Sequence, residues 1–176
     1  RTVRFRIKGI AATQDHGHPA ERDRGVSRRG LAEGGDAVRD RLDAAERDGL
    51  GTNTYVMTGF GTVRSRVMGM SSAPASAAQI DSMRTLIAQA MREGAFGVGS
   101  GLFYVPQSYA NTEEVIAVVS AAKPFGGVYD THQRDESSYS IGLLASVREA
   151  IRIGCENGLT TNIGHIKALG VDVWGK

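Results

Sequence analysis

Across residues 51–176 the apolar positions alternate between the two-residue period of a half-buried strand and the longer period of a helix. Thr52–Thr58 (TNTYVMT) is rich in β-favouring side chains and stops at Gly59-Phe60-Gly61, which predicts a strand. Ala77–Glu93 sets Ile80, Met83, Ile87 and Met91 on one stripe, with Ser76 and Gln79 as a capping box and Gly94 as the stop. Ala95–Ser100 reads as a short strand entering a loop, Gly101–Ala110, that contains Pro106. Thr112–Ala122 reads as a helix capped by Asn111, with Glu114 in its first turn and Pro124 past its end. A strand over Gly127–Thr131 follows. Then come a helix over Ile141–Asn157, with Leu144, Val147 and Ile151 inward and Gly158 as stop, and a last strand over Leu159–Gly164.

This βαβαβαβ order predicts an α/β fold, a parallel sheet covered by helices. Two architectures satisfy it, an open doubly wound sheet or a (β/α)8 barrel. A complete barrel takes about 250 residues, so with four visible strands a barrel here would be partial. Residues 1–50 are expected to form a poorly defined N-terminal segment, and 51–176 the barrel domain. Within that segment Thr2–Ile7 alternates like a short strand, residues 11–35 read as loop, and Asp36–Asp48 has a helical stripe of Val38, Leu42 and Ala45.

Composition narrows the function class. With 176 residues, 41% hydrophobic and 23% charged, the chain has the make-up of a globular protein. Aromatics at 6% offer no stacking platform for nucleic acid, and no apolar run approaches a membrane span. The formal charge of +2 is uneven: residues 1–35 hold eight basic and four acidic side chains, residues 51–176 ten of each. We read that basic arm as a solvated leader. A single cysteine, Cys155, excludes an intramolecular disulfide, and with no apolar stretch after the N-terminal charges the expected location is cytoplasmic. Both termini read as cut.

The candidate chemistry gathers at strand ends. His132 and His165 close consecutive predicted strands, 33 residues apart. Neighbouring parallel strands lie about 4.8 Å apart, so two such imidazoles can turn to one metal ion. Tyr104 lies just past the preceding strand, and Lys167, two residues beyond His165, offers a cation to a carboxylate. Arg134-Asp135-Glu136 reads either as support for the His132 imidazole or, by preference, as a solvated loop. Gly97–Gly101 has the glycine content of a phosphate-binding loop but no helix directly after it. His16 and His18 form an HxH pair in a polar, turn-like context, and Cys155 reads as a packing residue within a helix.

Taken together, GAFGVGSGLFYVPQSYANTEEVIAVVSAA, GGVYDTHQRDES and EAIRIGCENGLTTNIGHIKALGVDVWGK resemble the N-acyl-D-amino-acid deacylase (D-aminoacylase) family of the amidohydrolase superfamily, over about Asp36–Lys176. The resemblance implies a (β/α)8 barrel, zinc, and hydrolysis of an N-acyl-D-amino acid to a carboxylate and the free D-amino acid. It puts the fifth- and sixth-strand zinc ligands on His132 and His165 and the substrate contacts on Tyr104 and Lys167. The family's HxH setting, its metal-binding cysteine and its Gly-His-Gly have no counterpart here, where Gly59-Phe60-Gly61 stands instead. Its general-base aspartate is expected beyond Lys176. The chain alone is therefore expected to be inactive, with no catalytic base of its own, and a partial barrel is expected to self-associate through open sheet edges. Other readings are a non-catalytic remnant, an amidohydrolase of dipeptidase, dihydroorotase or hydantoinase type, and a nucleotide-binding domain resting on Gly97–Gly101.

Overall fold

The structure, a computed structural model, describes residues 37–49 and 54–176. The expected strand at 2–7, the loop at 11–35, the His16/His18 pair and the first two residues of the strand expected at 52–58 lie outside them. Helices α1 (Ala37–Asp48), α2 (Phe60–Met68), α3 (Ala77–Glu93), α4 (Thr112–Val119) and α5 (Leu143–Asn157) are interleaved with strands β1 (Met57–Gly59), β2 (Gly97–Gly101), β3 (Val128–His132) and β4 (Thr160–Ile163), with α2 and α3 both falling between β1 and β2.

The helix ends follow their local chemistry. Ser76 and Gln79 close both bonds of the capping box at the start of α3, and Gly94 ends that helix in the left-handed conformation. Asn111 accepts from the Glu114 amide at the start of α4. α4 is shorter than expected. It tightens at Ser120 into a 3₁₀ turn running to Phe125, because Pro124 has no N–H to give an α-helical carbonyl.

The sheet order is β1-β2-β3-β4, every pair parallel. A doubly wound sheet reverses its order at a switch point; this one does not. α3 packs on α4 and α4 on α5, so the crossover helices line one face. The result is an arc of a (β/α)8 barrel. Facing the helices, Val98 and Tyr129 join Phe60, Met83, Ile87, Val115, Val118 and Ile153 in one buried core. α1 adds Val38 and Leu42 to it. By strand alternation the opposite face carries Gly97, Gly99 and Gly101, registered with Val128, Asp130 and His132. Among the described residues no strand pairs with the outer edge of β4, where Thr160 and Asn162 are exposed. None of their helices is long and apolar enough to cross a membrane.

Two glycines permit this packing. A Cβ at Gly97 would lie 1.9 Å from the Val128 carbonyl oxygen, and one at Gly154 on α5 would lie 1.7 Å from Thr161 Oγ1 on β4. The Gly97–Gly101 run is therefore a strand drawn close to its neighbour. No helix starts at its end, and the phosphate-loop reading has no support here.

Three expectations are corrected. Gly59-Phe60-Gly61, expected only to end a strand, instead opens a helix: residues 60–68 form α2, with Phe60 and Val63 buried in the core. On α5 the inward stripe is Leu143, Ser146, Ala150 and Ile153, not Leu144, Val147 and Ile151. Leu144 and Ile151 are 48% and 50% exposed. The helix is turned by one residue, about 100°, because Glu149 and Asn157 find partners inside: Glu149 with Arg134, Asn157 with the carbonyls of Ile116 and Ile153. The same turn leaves Cys155 exposed, not packed.

Beneath the helices lies a buried ion pair. Arg64 Nε donates to Glu114 Oε1 at 2.9 Å, while its other nitrogens reach the carbonyls of Ser71 and Ala73. Glu114 Oε2 also accepts from the Ala75 amide. One charge thus ties α2, the α2–α3 connection and α4 together. Removing one member of such a pair leaves an uncompensated buried charge. Glu114→Ala is expected to lower the unfolding free energy by about 3–5 kcal/mol, and adding Arg64→Ala to cost less than the sum of the single changes. Urea denaturation of the three variants checks this.

Candidate metal centre

β3 delivers His132 and β4 delivers His165 to one end of the sheet. The Thr131–Ile163 register brings the two strand ends level, and the Gly164 amide donates to the Thr131 carbonyl at 2.9 Å. His165 then leaves the strand with φ 39°, a left-handed conformation rare for a side chain with a Cβ. This turn brings its ring over the end of β3. The ring centroids of His132 and His165 are 4.6 Å apart and nearly perpendicular.

His132 is held from below. Tyr129, Ser100 and Thr131 form a chain of hydroxyls at 2.8 Å steps, and Thr131 Oγ1 donates onward to the His132 carbonyl at 3.0 Å. Burial pushes the Tyr129 phenol up to about 12, against the opposing pull of the Ser100 and Thr131 hydroxyls, so it enters the chain as a neutral donor. The His132 ring has its own fixed polarity. Nδ1 lies 2.9 Å from the Gln133 carbonyl, which only accepts, so Nδ1 carries the proton and Nε2 the lone pair. Tyr104 Oη stands 3.2 Å from that Nε2. The Phe103 ring stacks against the same imidazole at 5.8 Å.

The three residues after Gln133 are the main departure from the sequence reading. Asp135 and Glu136 are only 0% and 4% exposed, so Arg134-Asp135-Glu136 is not a solvated loop. Each charge is engaged by a different element. Arg134 forms a two-pronged pair with Glu149 of α5, with Nε at 2.8 Å from Oε2, and also reaches the carbonyls of Ser108 and Ala110. Asp135 accepts from the amides of Ser137, Ser140 and Gly142, winding the loop onto the start of α5. Glu136 turns the other way: Oε1 is 3.1 Å from His165 Nδ1 and Oε2 is 2.5 Å from Lys167 Nζ. Lys167 Nζ also lies 3.0 Å from His165 Nδ1.

His132, Glu136 and His165 offer ligand atoms within 4.8 Å of one another, the one such group of three among the described residues. Two imidazoles, one of them with its lone pair on Nε2, beside a carboxylate make a group whose chemistry suits zinc. Tyr104 and Lys167 stand beside this group. His16 and His18 lie outside the described residues, and Cys155 is on the outer face of α5. Sequence reasoning missed the role of Glu136. Its only signal was three adjacent charges straight after a strand-end histidine.

Asp135 carries a pH-dependent share of this geometry. Burial works against its charge, but the amides of Ser140, Gly142 and Ser137 outweigh it and hold the pKa below the ordinary 3.8. A folded-state pKa lowered in this way stabilises fully above the ordinary value, and the stability is lost as pH falls through the folded pKa. Asp135→Asn is expected to cost about 1.5–3 kcal/mol at neutral pH. The gap to wild type should close below pH 3.8, as read by urea denaturation at each pH.

The comparisons with known proteins agree among themselves. No protein-family model matches the chain. The D-aminoacylase of Alcaligenes xylosoxydans xylosoxydans is 36% identical over 150 residues, 83% of this chain and 30% of the relative. The N-acyl-D-aspartate deacylase of the same organism is 35% identical over 133 residues, 75% of this chain and 26% of the relative. A crystal structure of D-aminoacylase described as defining a novel subset of amidohydrolases superposes with a TM-score of 0.66 at 30% identity, covering 88% of this chain and 33% of that one. The N-acyl-D-glutamate deacylase of Bordetella bronchiseptica, complexed with zinc and a phosphonate inhibitor, gives 0.59 at 26% identity over 72% of this chain and 25% of that one. The chain therefore belongs with the N-acyl-D-amino-acid deacylases, the D-aminoacylase family of amidohydrolases, and spans about 30% of the length of the first relative it matches.

Proposed function

We propose that this chain supplies part of the active site of a zinc-dependent enzyme that hydrolyses N-acyl-D-amino acids to a carboxylate and the free D-amino acid. His132 and His165 hold the metal, and Tyr104 and Lys167 hold the substrate. The observation that carries the reading is the meeting of two imidazoles, 4.6 Å between centroids, at the ends of adjacent parallel strands. A related deacylase of this family is complexed with zinc. When bound, zinc polarises an acyl carbonyl and makes hydroxide available near neutral pH.

The chain's own residues do the positioning. The carbonyl of Gln133 keeps the His132 proton on Nδ1, so that Nε2 carries the lone pair with which His132 would hold a metal. The Lys167 ammonium, half-exposed and anchored by Glu136, has N–H bonds left to take the α-carboxylate of the substrate. The Tyr104 hydroxyl, 3.2 Å from His132 Nε2, is placed to donate to a group lying next to the metal. This division fixes the substrate at its carboxylate end and presents its acyl carbonyl at the histidines. No general base is assigned to this chain.

Zinc titration tests the ligand assignment. His132→Ala and His165→Ala are each expected to weaken binding at least tenfold, and unchanged affinity in either folded variant would sink it. In a protein that carries this chain within a closed barrel, either change should abolish zinc-dependent release of D-amino acid from N-acetyl-D-amino acids. Lys167→Ala should raise KM more than it lowers kcat.

A further inference from the structure

Glu136 lies outside the set of residues to which the resemblance gives a role, yet it touches two of them. Its side chain is 5% exposed, against 54% for His165 and 47% for Lys167. Its backbone carbonyl also accepts from the Leu169 amide at 2.6 Å, so the residue is pinned at both ends. The contacts around His165 Nδ1 pose a question. Glu136 Oε1 is 3.1 Å from that nitrogen and Lys167 Nζ is 3.0 Å from it. A carboxylate only accepts and an ammonium only donates, so Nδ1 can satisfy one of them. If Lys167 donated to it, the ring proton would sit on Nε2, and His165 would have no lone pair left for a metal.

The two choices differ in what they leave unsatisfied. With the proton on Nδ1, both Glu136 oxygens are matched, Oε1 by the imidazole and Oε2 by the ammonium. The mismatched partner is then one N–H bond of an ammonium half open to water. With the proton on Nε2, a buried carboxylate oxygen faces a nitrogen lone pair. A buried charged acceptor without a donor is the costlier defect, because water cannot reach it, whereas the lysine can turn an N–H to solvent.

We propose that Glu136 is a positioning residue that takes the Nδ1 proton of His165, so that Nε2 keeps the lone pair a metal needs, while its second oxygen anchors the Lys167 ammonium for the substrate carboxylate. This rests on the metal reading above and deepens it. One buried carboxylate then sets a metal ligand and a substrate-binding cation together. Neutral glutamine of the same shape should undo the first role specifically. Lys167 holds the amide oxygen, which turns the NH₂ group to His165 Nδ1, and a donor there drives the ring proton to Nε2.

The test reads the tautomer in the metal-free chain, by long-range ¹⁵N–¹H correlation of the histidine rings at a pH where His165 is neutral. The His165 signals are identified by their loss in His165→Ala. Wild type and Lys167→Met are expected to show Nδ1–H, and Glu136→Gln to show Nε2–H with unchanged backbone chemical shifts elsewhere. Zinc affinity of Glu136→Gln should fall by about 10–100-fold. An Nε2–H ring in the wild type overturns the proposal, as does a folded Glu136→Gln variant that binds zinc as tightly as wild type. Zinc affinity that ignores His165→Ala would defeat the metal assignment alone, since the tautomer is read without metal.

Discussion

Three consecutive charges, none of them left to water, hold the end of β3 in place. Arg134 is drawn to Glu149 on α5, Asp135 to the amides that lead into α5, and Glu136 to the residues after β4. A buried charge without a partner is so costly that each of these contacts constrains the backbone as well as the side chain. The loop after His132 therefore has little freedom, and the imidazole it carries has little as well. Arg64 and Glu114 play the same part at the other side of the helical layer, where one buried pair gathers α2, α4 and the chain between α2 and α3.

Parallel pairing supplies the rest of the geometry. Because β2, β3 and β4 run level, Gly101, His132 and the turn after Ile163 reach the same height. Gly97 lets β2 come close to β3, and Gly154 lets α5 settle on β4. Residues distant in the chain, Tyr104, His132, Glu136, His165 and Lys167, then face one space at the strand ends, where barrel enzymes place their chemistry. The hydroxyl chain from Tyr129 to the His132 carbonyl joins the core beneath to the site above.

Much of this was legible in the residues. The cap signals at Ser76–Gln79, Gly94 and Asn111 identify helix ends because they depend on neighbours a few positions away. Strand ends at His132 and His165 follow from the same local punctuation. What misled was apolar periodicity on α5, where Leu144, Val147 and Ile151 make as good a stripe as the one that is buried. Glu149 and Asn157 decided between the two faces, and their partners lie up to 41 residues away. α2 was missed for a similar reason. Phe60 and Val63 repeat at helical spacing, but Gly59 supplies no side-chain cap to announce the start.

The sequence by itself determined the alternation of strand and helix, the parallel sheet, the family, and the pairing of two histidines on successive strands. All of these rest on short-range patterns or on motifs read in order. Tertiary structure alone decided that Arg134, Asp135 and Glu136 are buried, that Cys155 and Ile151 face outward, and that Glu136 joins His165 to Lys167. Those outcomes turn on whether a charge finds its counter-charge across the fold, and distance along the chain hides that information.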